Sequence, residues 1–282
     1  MTMPNININI SGLSEPATKL IEKISNGVGI LYEPHHIKRI AKAEAEAKKI
    51  TKIAQHDLSD LEHRTILRVL NEEKRRQENM EKITASAISR IDDDAKPENM
   101  DDDWIIYFYE NCRNTQNEEM QSLWASILTG EAKNPGTFSR RTLNFISTLD
   151  KSDASLFTRF CSYCWKFDKF SPLVYDMDHE IYNKNGINFN ALQNLDSIGL
   201  INLDASDIIK TALQEEIEVT YFDTSIRIKF SKSKDNELNI GVANLTNIGQ
   251  ELAPICGSQP LPDFFEFVLS KWKNDKLTVS KQ

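Results

Sequence analysis

Apolar positions recur every three or four residues through most of the first two thirds of the chain, the spacing of helices that bury one face. Met120, Leu123, Trp124, Ile127 and Leu128 form the broadest such face, and Leu143, Ile146 and Leu149 follow it. Between them Asn134-Pro135-Gly136 is a turn signal, Gly130 is a helix-stop candidate, and Ser139 is placed to cap the second helix. We take Leu123, Trp124 and Ile127 as structural core. Earlier, Ser14 and Pro16 open a helix carrying Ala17, Leu20, Ile21 and Ile24, with a stop expected near Asn26-Gly27. Residues 34–90 then read as one long helix or two in tandem. Ile40, Ala43, Ala47, Ile50 and Ala54 make a narrow seam of mostly small residues, and Leu58, Leu61, Thr65 and Val69 continue it. A helix with so narrow a stripe needs a partner helix, so the seam predicts assembly.

After residue 150 the period changes. Residues 152–167 read as an apolar helix, and Phe189–Ile198 as another, closed by Gly199 in a left-handed conformation. Residues 217–223, 226–231 and 238–245 alternate as strands do, Thr246 or Asn247 starts a further helix, and a final aromatic helix precedes fraying terminal residues. Near the N-terminus, NININI (5–10) alternates as strictly as a strand. The expected class is mainly α with a small α+β part. It divides into a strand and long helical arm over 1–91, an acidic linker over 92–103, a helical core over 104–150, and a winged-helix-like C-terminal domain with a terminal helix over 151–282.

Composition narrows the function. A net charge of -8 argues against a protein that coats nucleic acid. Four cysteines are too few and too scattered for a disulfide framework. The N-terminus lacks the basic-then-apolar order of a signal peptide, and no apolar run approaches the roughly 20 residues that span a bilayer. The expected location is cytoplasmic.

Candidate chemistry is sparse. No phosphate-binding glycine loop, nucleophile elbow or zinc-protease motif occurs, and no cofactor is implied. His56 and His63 lie seven apart, too far for a zinc pair on one helix. DDDAKPENMDDD lacks the central glycine and terminal glutamate of a calcium loop. It reads as a solvated hinge. Cys161-x-x-Cys164 has neither a second pair nor a strand-to-helix setting, so both cysteines are expected in a core. No catalytic, cofactor or metal residue is assigned, and no enzyme is expected.

Two surfaces stand out. Val28, Ile30, Leu31 and Tyr32 make an apolar loop suited to a partner or a membrane surface. The segment from about residue 150 to 256, with its Ile198-Gly199-Leu200-Ile201 helix end and Leu245-Thr246-x-x-Gly249 helix start, resembles winged-helix domains. In that likeness Arg227, Lys229, Lys232 and Lys234 lie on the wing and reach phosphates, but the would-be recognition helix has no basic residue and carries Asp196.

Residues 10–25, 31–50, 101–112, 118–143 and 186–201 together resemble a family of uncharacterised bacterial proteins defined by a domain of unknown function. The Trp124-Ala125-x-Ile127-Leu128 helix, with Leu149-Asp150-x-x-Asp153-Ala154, is also similar to the abortive-infection alpha family of phage defence. Neither resemblance implies catalytic residues. The function expected is a self-associating, non-enzymatic bacterial protein with a defence role, assembling through the arm as a homo-oligomer and recognising a protein partner through its C-terminal domain. Two other readings stay open, a winged-helix DNA-binding regulator and a membrane-associated effector.

Overall fold

The computed structural model describes residues 13–29 and 59–281. The NININI segment, the seam Ile40, Ala43, Ala47, Ile50 and Ala54, and Ile30, Leu31 and Tyr32 lie outside these residues. The described chain is mainly helical, with ten α-helices and small antiparallel sheets. It forms two compact units, residues 1–148 and 149–282.

Among the described residues the first unit has helices and no strand. Helix α1 (Glu15–Val28) starts at Ser14, whose side chain accepts from Ala17 N. It runs past Gly27 and ends at Gly29, where φ is +89°. Gly27 serves packing instead, since a Cβ there would lie 3.3 Å from Ile105 Cγ2. Helix α2 (Asp60–Ile88) opens with a reciprocal capping box between Ser59 and Glu62. A helix start therefore falls inside the 34–90 stretch. Its second half buries Ile83, Ala87 and Ile88. Helix α3 (Asp102–Cys112) is capped by Asp101, which accepts from Trp104 N at 2.8 Å. Helices α4 (Glu118–Lys133) and α5 (Arg140–Ser147) follow, with α4 packed along α2 and α3 against both α1 and α5.

The acidic stretch before α3 is not solvated throughout. Ala95, Pro97 and Met100 are buried, a short 3-10 helix spans Pro97–Asn99, and Lys96 N donates to Ala132 O at 2.8 Å. Its aspartates point outward while these apolar positions anchor it. Gly130 does not stop α4 either. A Cβ there would meet Phe138 Cε2 at 2.8 Å, so the glycine makes room for a buried ring.

The second unit alternates helices with strands. Helix α6 (Lys151–Cys161) ends earlier than its apolar content suggests, and the following residues form β1 (Cys164–Lys166) and β2 (Phe170–Pro172). Short helix α7 (Glu180–Asn183) and α8 (Phe189–Ser197) lead through Gly199, at φ +84°, into β3 (Ile201–Leu213). Strands β4 (Glu216–Tyr221) and β5 (Thr224–Lys229) form a tight hairpin, and β6 (Asn236–Leu245) returns antiparallel to β3 with three register shifts. Helix α9 (Asn247–Leu252) is capped by Thr246, and α10 (Pro262–Asn274) is the last helix. Residues expected to fray are paired instead as far as Lys281. Thr278–Lys281 forms β7 on the free edge of β5, completing a sheet in the order β2-β1-β4-β5-β7.

The core of this unit is aromatic. Trp165 stacks on Tyr221 at 5.0 Å between ring centres and meets Trp272 edge-on at 4.8 Å. Tyr221 also donates its hydroxyl to Ser162 O at 2.8 Å and accepts from Leu261 N. A ring that both packs and satisfies buried backbone groups fixes the helix α10 entry against β4.

Candidate interaction surface

The feature that stands apart from both cores is the first half of α2. Leu61, Ile66, Leu67, Val69 and Leu70 are exposed, and they are five of the nine large apolar side chains exposed among the described residues. Their concentration on ten consecutive residues is what distinguishes them, because single exposed apolar residues are ordinary. At 100° per residue, Val69, Ile66, Leu70 and Leu67 span an arc of about 160°, which overlaps the line of Ile83, Thr84 and Ile88 that is buried further along. One stripe is thus covered in its second half and uncovered in its first. Ser59 and Glu62 cap this end of the helix. Ser59 N donates to Glu62 Oε2 at 2.8 Å, and this bond, with the Ser59 hydroxyl, keeps the Glu62 carboxyl below its ordinary pKa.

Where the stripe changes from uncovered to covered, a polar cleft of about 140 Å³ is lined by Arg75, Arg76, Asn79, Arg113 and Asn114. Arg76 pairs with Glu73 and donates from Nε to Asn114 Oδ1 at 3.1 Å. Asn79 is buried and donates to Arg113 O at 2.9 Å, while Gln121 Nε2 donates to Asn79 Oδ1 and Thr115 O. These bonds fasten α2 to the α3–α4 turn. Ahead of the cleft, Arg68 bonds Glu72 at 2.7 Å and holds its carboxyl below the ordinary value. The basic residues of α2 are thus partly neutralised within the helix.

The predicted residues fall as follows. Trp124 and Ile127 are fully buried, whereas Leu123 is only half-buried on the edge of the α4 face. Leu128 is buried as its face predicts, and Ala125 joins it. Val28 is the last residue of α1 and half-buried. Leu61 and Val69 are exposed rather than part of a packed stripe. Arg227 and Lys229 do not lie on the β3–β6 ribbon. They sit on β5, in the five-stranded sheet, with Arg227 opposite Glu218. Lys229 bonds Glu216 at 3.1 Å and Glu215 at 3.2 Å, which raises its pKa. Lys232 and Lys234 are in the loop between β5 and β6, where Asn236 Nδ2 holds the Lys232 carbonyl at 2.9 Å. Arg227 and Lys229, two positions apart, share one face of β5, and on the paired strand Glu218 and Glu216 stand opposite them.

Sequence periodicity does not single out Ile66, Leu67 and Leu70, because Arg64, Arg68 and Glu72 interrupt them and the 58–61–65–69 series dominates instead. The Ser59-x-x-Glu62 box is a readable signal that the helix restarts there. The thiols of Cys161 and Cys164 are buried, as their apolar neighbours suggest, but Cys256, distant in sequence, joins them in space. Among the described residues no cluster of histidine, cysteine or acidic side chains could hold a metal ion, and no helix is long and apolar enough to cross a membrane.

No curated protein and no solved structure matches this chain. A model of a family described as proteins of unknown function (DUF2806) matches residues 63–269, from the first turn of α2 into α10. With most of its length covered by that match, the chain belongs to this family of proteins of unknown function.

Proposed function

We propose that this protein is a non-enzymatic, self-associating protein that assembles through the first half of α2. The observation that carries the reading is the run of exposed Leu61, Ile66, Leu67, Val69 and Leu70 on a capped, continuous helix. A helix so apolar on one side is stabilised by a second apolar surface, and a copy of the same stripe supplies one. The seam from Ile40 to Ala54 lies upstream and supports the same reading at the level of sequence. The test is light scattering at micromolar concentration on the full chain and on the double variant Leu67→Lys with Leu70→Lys. We expect an oligomer for the first and a monomer with unchanged circular dichroism for the second. A monomeric parent chain overturns the proposal.

Element order favours a second reading for residues 149–282. Helix α6, an extended bridge from Val174 to Gly241, helices α7 and α8, then β3 and β6 follow the order of a winged helix, with the β4–β5 hairpin inserted at the wing. We read this unit as a protein-contact module. Helix α8 exposes Phe189 and carries no basic residue, and the ribbon bears Asp204 and Asp207. Binding of duplex DNA at low salt, weakened by Arg227→Ala with Lys229→Ala, would favour the DNA-binding regulator instead. Retention on anionic liposomes would favour the membrane effector. The defence role rests on the short likeness of the Trp124 helix to abortive-infection proteins. Plaque counts on cells with and without the gene test it, equal counts counting against it.

A further inference from the structure

Three cysteines that the sequence leaves apart share one site in the second unit. Cys161 is the last residue of α6, and Cys164 opens β1. Cys256 lies in the loop between α9 and α10. Thr158, one turn before Cys161, donates its hydroxyl to Cys256 O at 3.0 Å and so holds that loop on α6. Cys161 lies near enough to both for Cys164 and Cys256 to add to the effect of burial in raising its pKa. The Cys256 thiol also reaches Ala253 O at 3.3 Å. Exposure differs among the three. Cys161 and Cys164 are buried, and Cys256 is partly open to solvent.

This graded arrangement separates two roles. An attacking thiol needs access and thiolate character, and a resolving thiol needs only to touch it. Cys256 is the least buried of the three. Hydrogen bonds from Cys161 and Ser258 lower its pKa to about 7, whereas burial pushes Cys161 well up.

We propose that Cys256 and Cys161 form a reversible disulfide on exposure to a hydroperoxide. The Cys256 thiolate attacks one peroxide oxygen, the O–O bond breaks, and the leaving oxygen takes a proton as water or alcohol. The sulfur is oxidised to a sulfenic acid and the peroxide is reduced. The Cys161 sulfur then attacks the Cys256 sulfur, the S–O bond breaks, and the Cys161 proton leaves with the hydroxide as water. Two thiols and one hydrogen peroxide give one disulfide and two waters. The bond joins the end of α6 to the loop that leads into α10, and a dithiol reductant reverses it.

The test treats the purified full chain with hydrogen peroxide, blocks remaining thiols with iodoacetamide under denaturing conditions, and maps peptides by mass spectrometry. A Cys161–Cys256 peptide pair lighter by two hydrogens is expected, with Cys112 and Cys164 alkylated. In Cys161→Ser the reaction should stop at a Cys256 sulfenic acid that dimedone traps. In Cys256→Ser neither the link nor the adduct should form, while Cys164→Ser keeps the link. Circular dichroism shows that each variant folds. Cys256 that remains alkylatable after peroxide, or a Cys161–Cys164 link in its place, overturns the proposal.

Discussion

The carboxylate of Glu131 closes the turn to Phe138 from the inside. Glu131 is buried near the end of α4, and its Oε2 accepts from Phe138 N at 2.9 Å while Oε1 accepts from Gly136 N at 2.6 Å. The turn at Asn134-Pro135-Gly136 thereby has its backbone donors satisfied by a side chain of the preceding helix. It also sets Phe138 O to accept from Trp104 Nε1 at 2.7 Å, which ties α3 to the same turn.

Glu131→Ala removes both acceptors, strands the buried Phe138 N–H and leaves the exposed Gly136 N–H to water. A buried donor so stranded costs about 1–3 kcal/mol, and the two losses are coupled through one turn. We expect chemical denaturation to report a loss of about 3 kcal/mol, with Glu131→Gln, which keeps one carbonyl acceptor, losing less. Equal losses for the two variants would mean that the acceptor geometry is not what holds the turn.

Trp124 is fully enclosed and meets Phe108 edge-on at 5.3 Å, with Phe108 stacked on Trp104 at 5.2 Å. Trp124→Ala removes one end of this aromatic row. The expected cost is about 3–5 kcal/mol, read as a lower denaturant midpoint. This variant should lose assembly because it loses its fold, whereas Leu67→Lys with Leu70→Lys should lose assembly alone. A Trp124→Ala chain of normal stability would place the core elsewhere.

Two glycines with nearly the same φ lead to losses of different size. Gly136 has φ +91° and open space where a Cβ would stand, whereas Gly241 has φ +93° and a Cβ there would lie 2.0 Å from Val174 O. Gly136→Ala should cost about 1 kcal/mol, the penalty of the left-handed region alone. Gly241→Ala adds displacement of the Val174 backbone, whose carbonyl accepts from Val242 N at 2.9 Å. Its loss should exceed that of Gly136→Ala by about 2 kcal/mol or more. Thermal melts of the two variants side by side decide the point, and similar shifts would contradict the close approach of residue 174 to β6.

Much of this fold is legible in residue patterns whose partners are local. Ser14, Ser139 and Thr246 all cap the helices that their spacing announces, because an N-cap bond closes within three residues. Strands β4 and β5 announce themselves by alternation. What is not legible depends on distant partners. Strand β3 runs through polar Asp204, Ser206 and Asp207 and exists because β6 pairs with it, while β7 needs the edge of β5. Gly27 and Gly130 look like helix stops but are sites where Ile105 and Phe138 come close. Likewise the C-x-x-C pair gives no hint of Cys256, which lies 92 positions beyond Cys164 in the numbering. The exposed α2 stripe is half legible, since period three-to-four spacing shows an apolar face but not whether anything covers it.

The Cys256 thiol should make reactivity and stability depend on pH in a defined direction. Its pKa lies at about 7 in the folded chain against the ordinary 9.0. Iodoacetamide should therefore label native Cys256 with a half-maximal rate near pH 7, and the unfolded chain near pH 9. The folded state releases this proton more readily than the unfolded state, so the thiolate contributes its full stability above the unfolded value. That contribution is lost as pH falls through the folded value. Cys161 acts in the opposite sense, because burial raises its pKa and the folded chain keeps a proton that the unfolded chain gives up. The gain from Cys256 should thus show between about pH 7 and 9 and be offset at higher pH. Comparing denaturant midpoints of the parent chain and Cys256→Ser at the two ends of that window isolates the effect. The parent should gain about 2 kcal/mol over the variant on going up through it. A difference that stays constant with pH would mean that the Cys161 hydrogen bond does not favour the Cys256 thiolate.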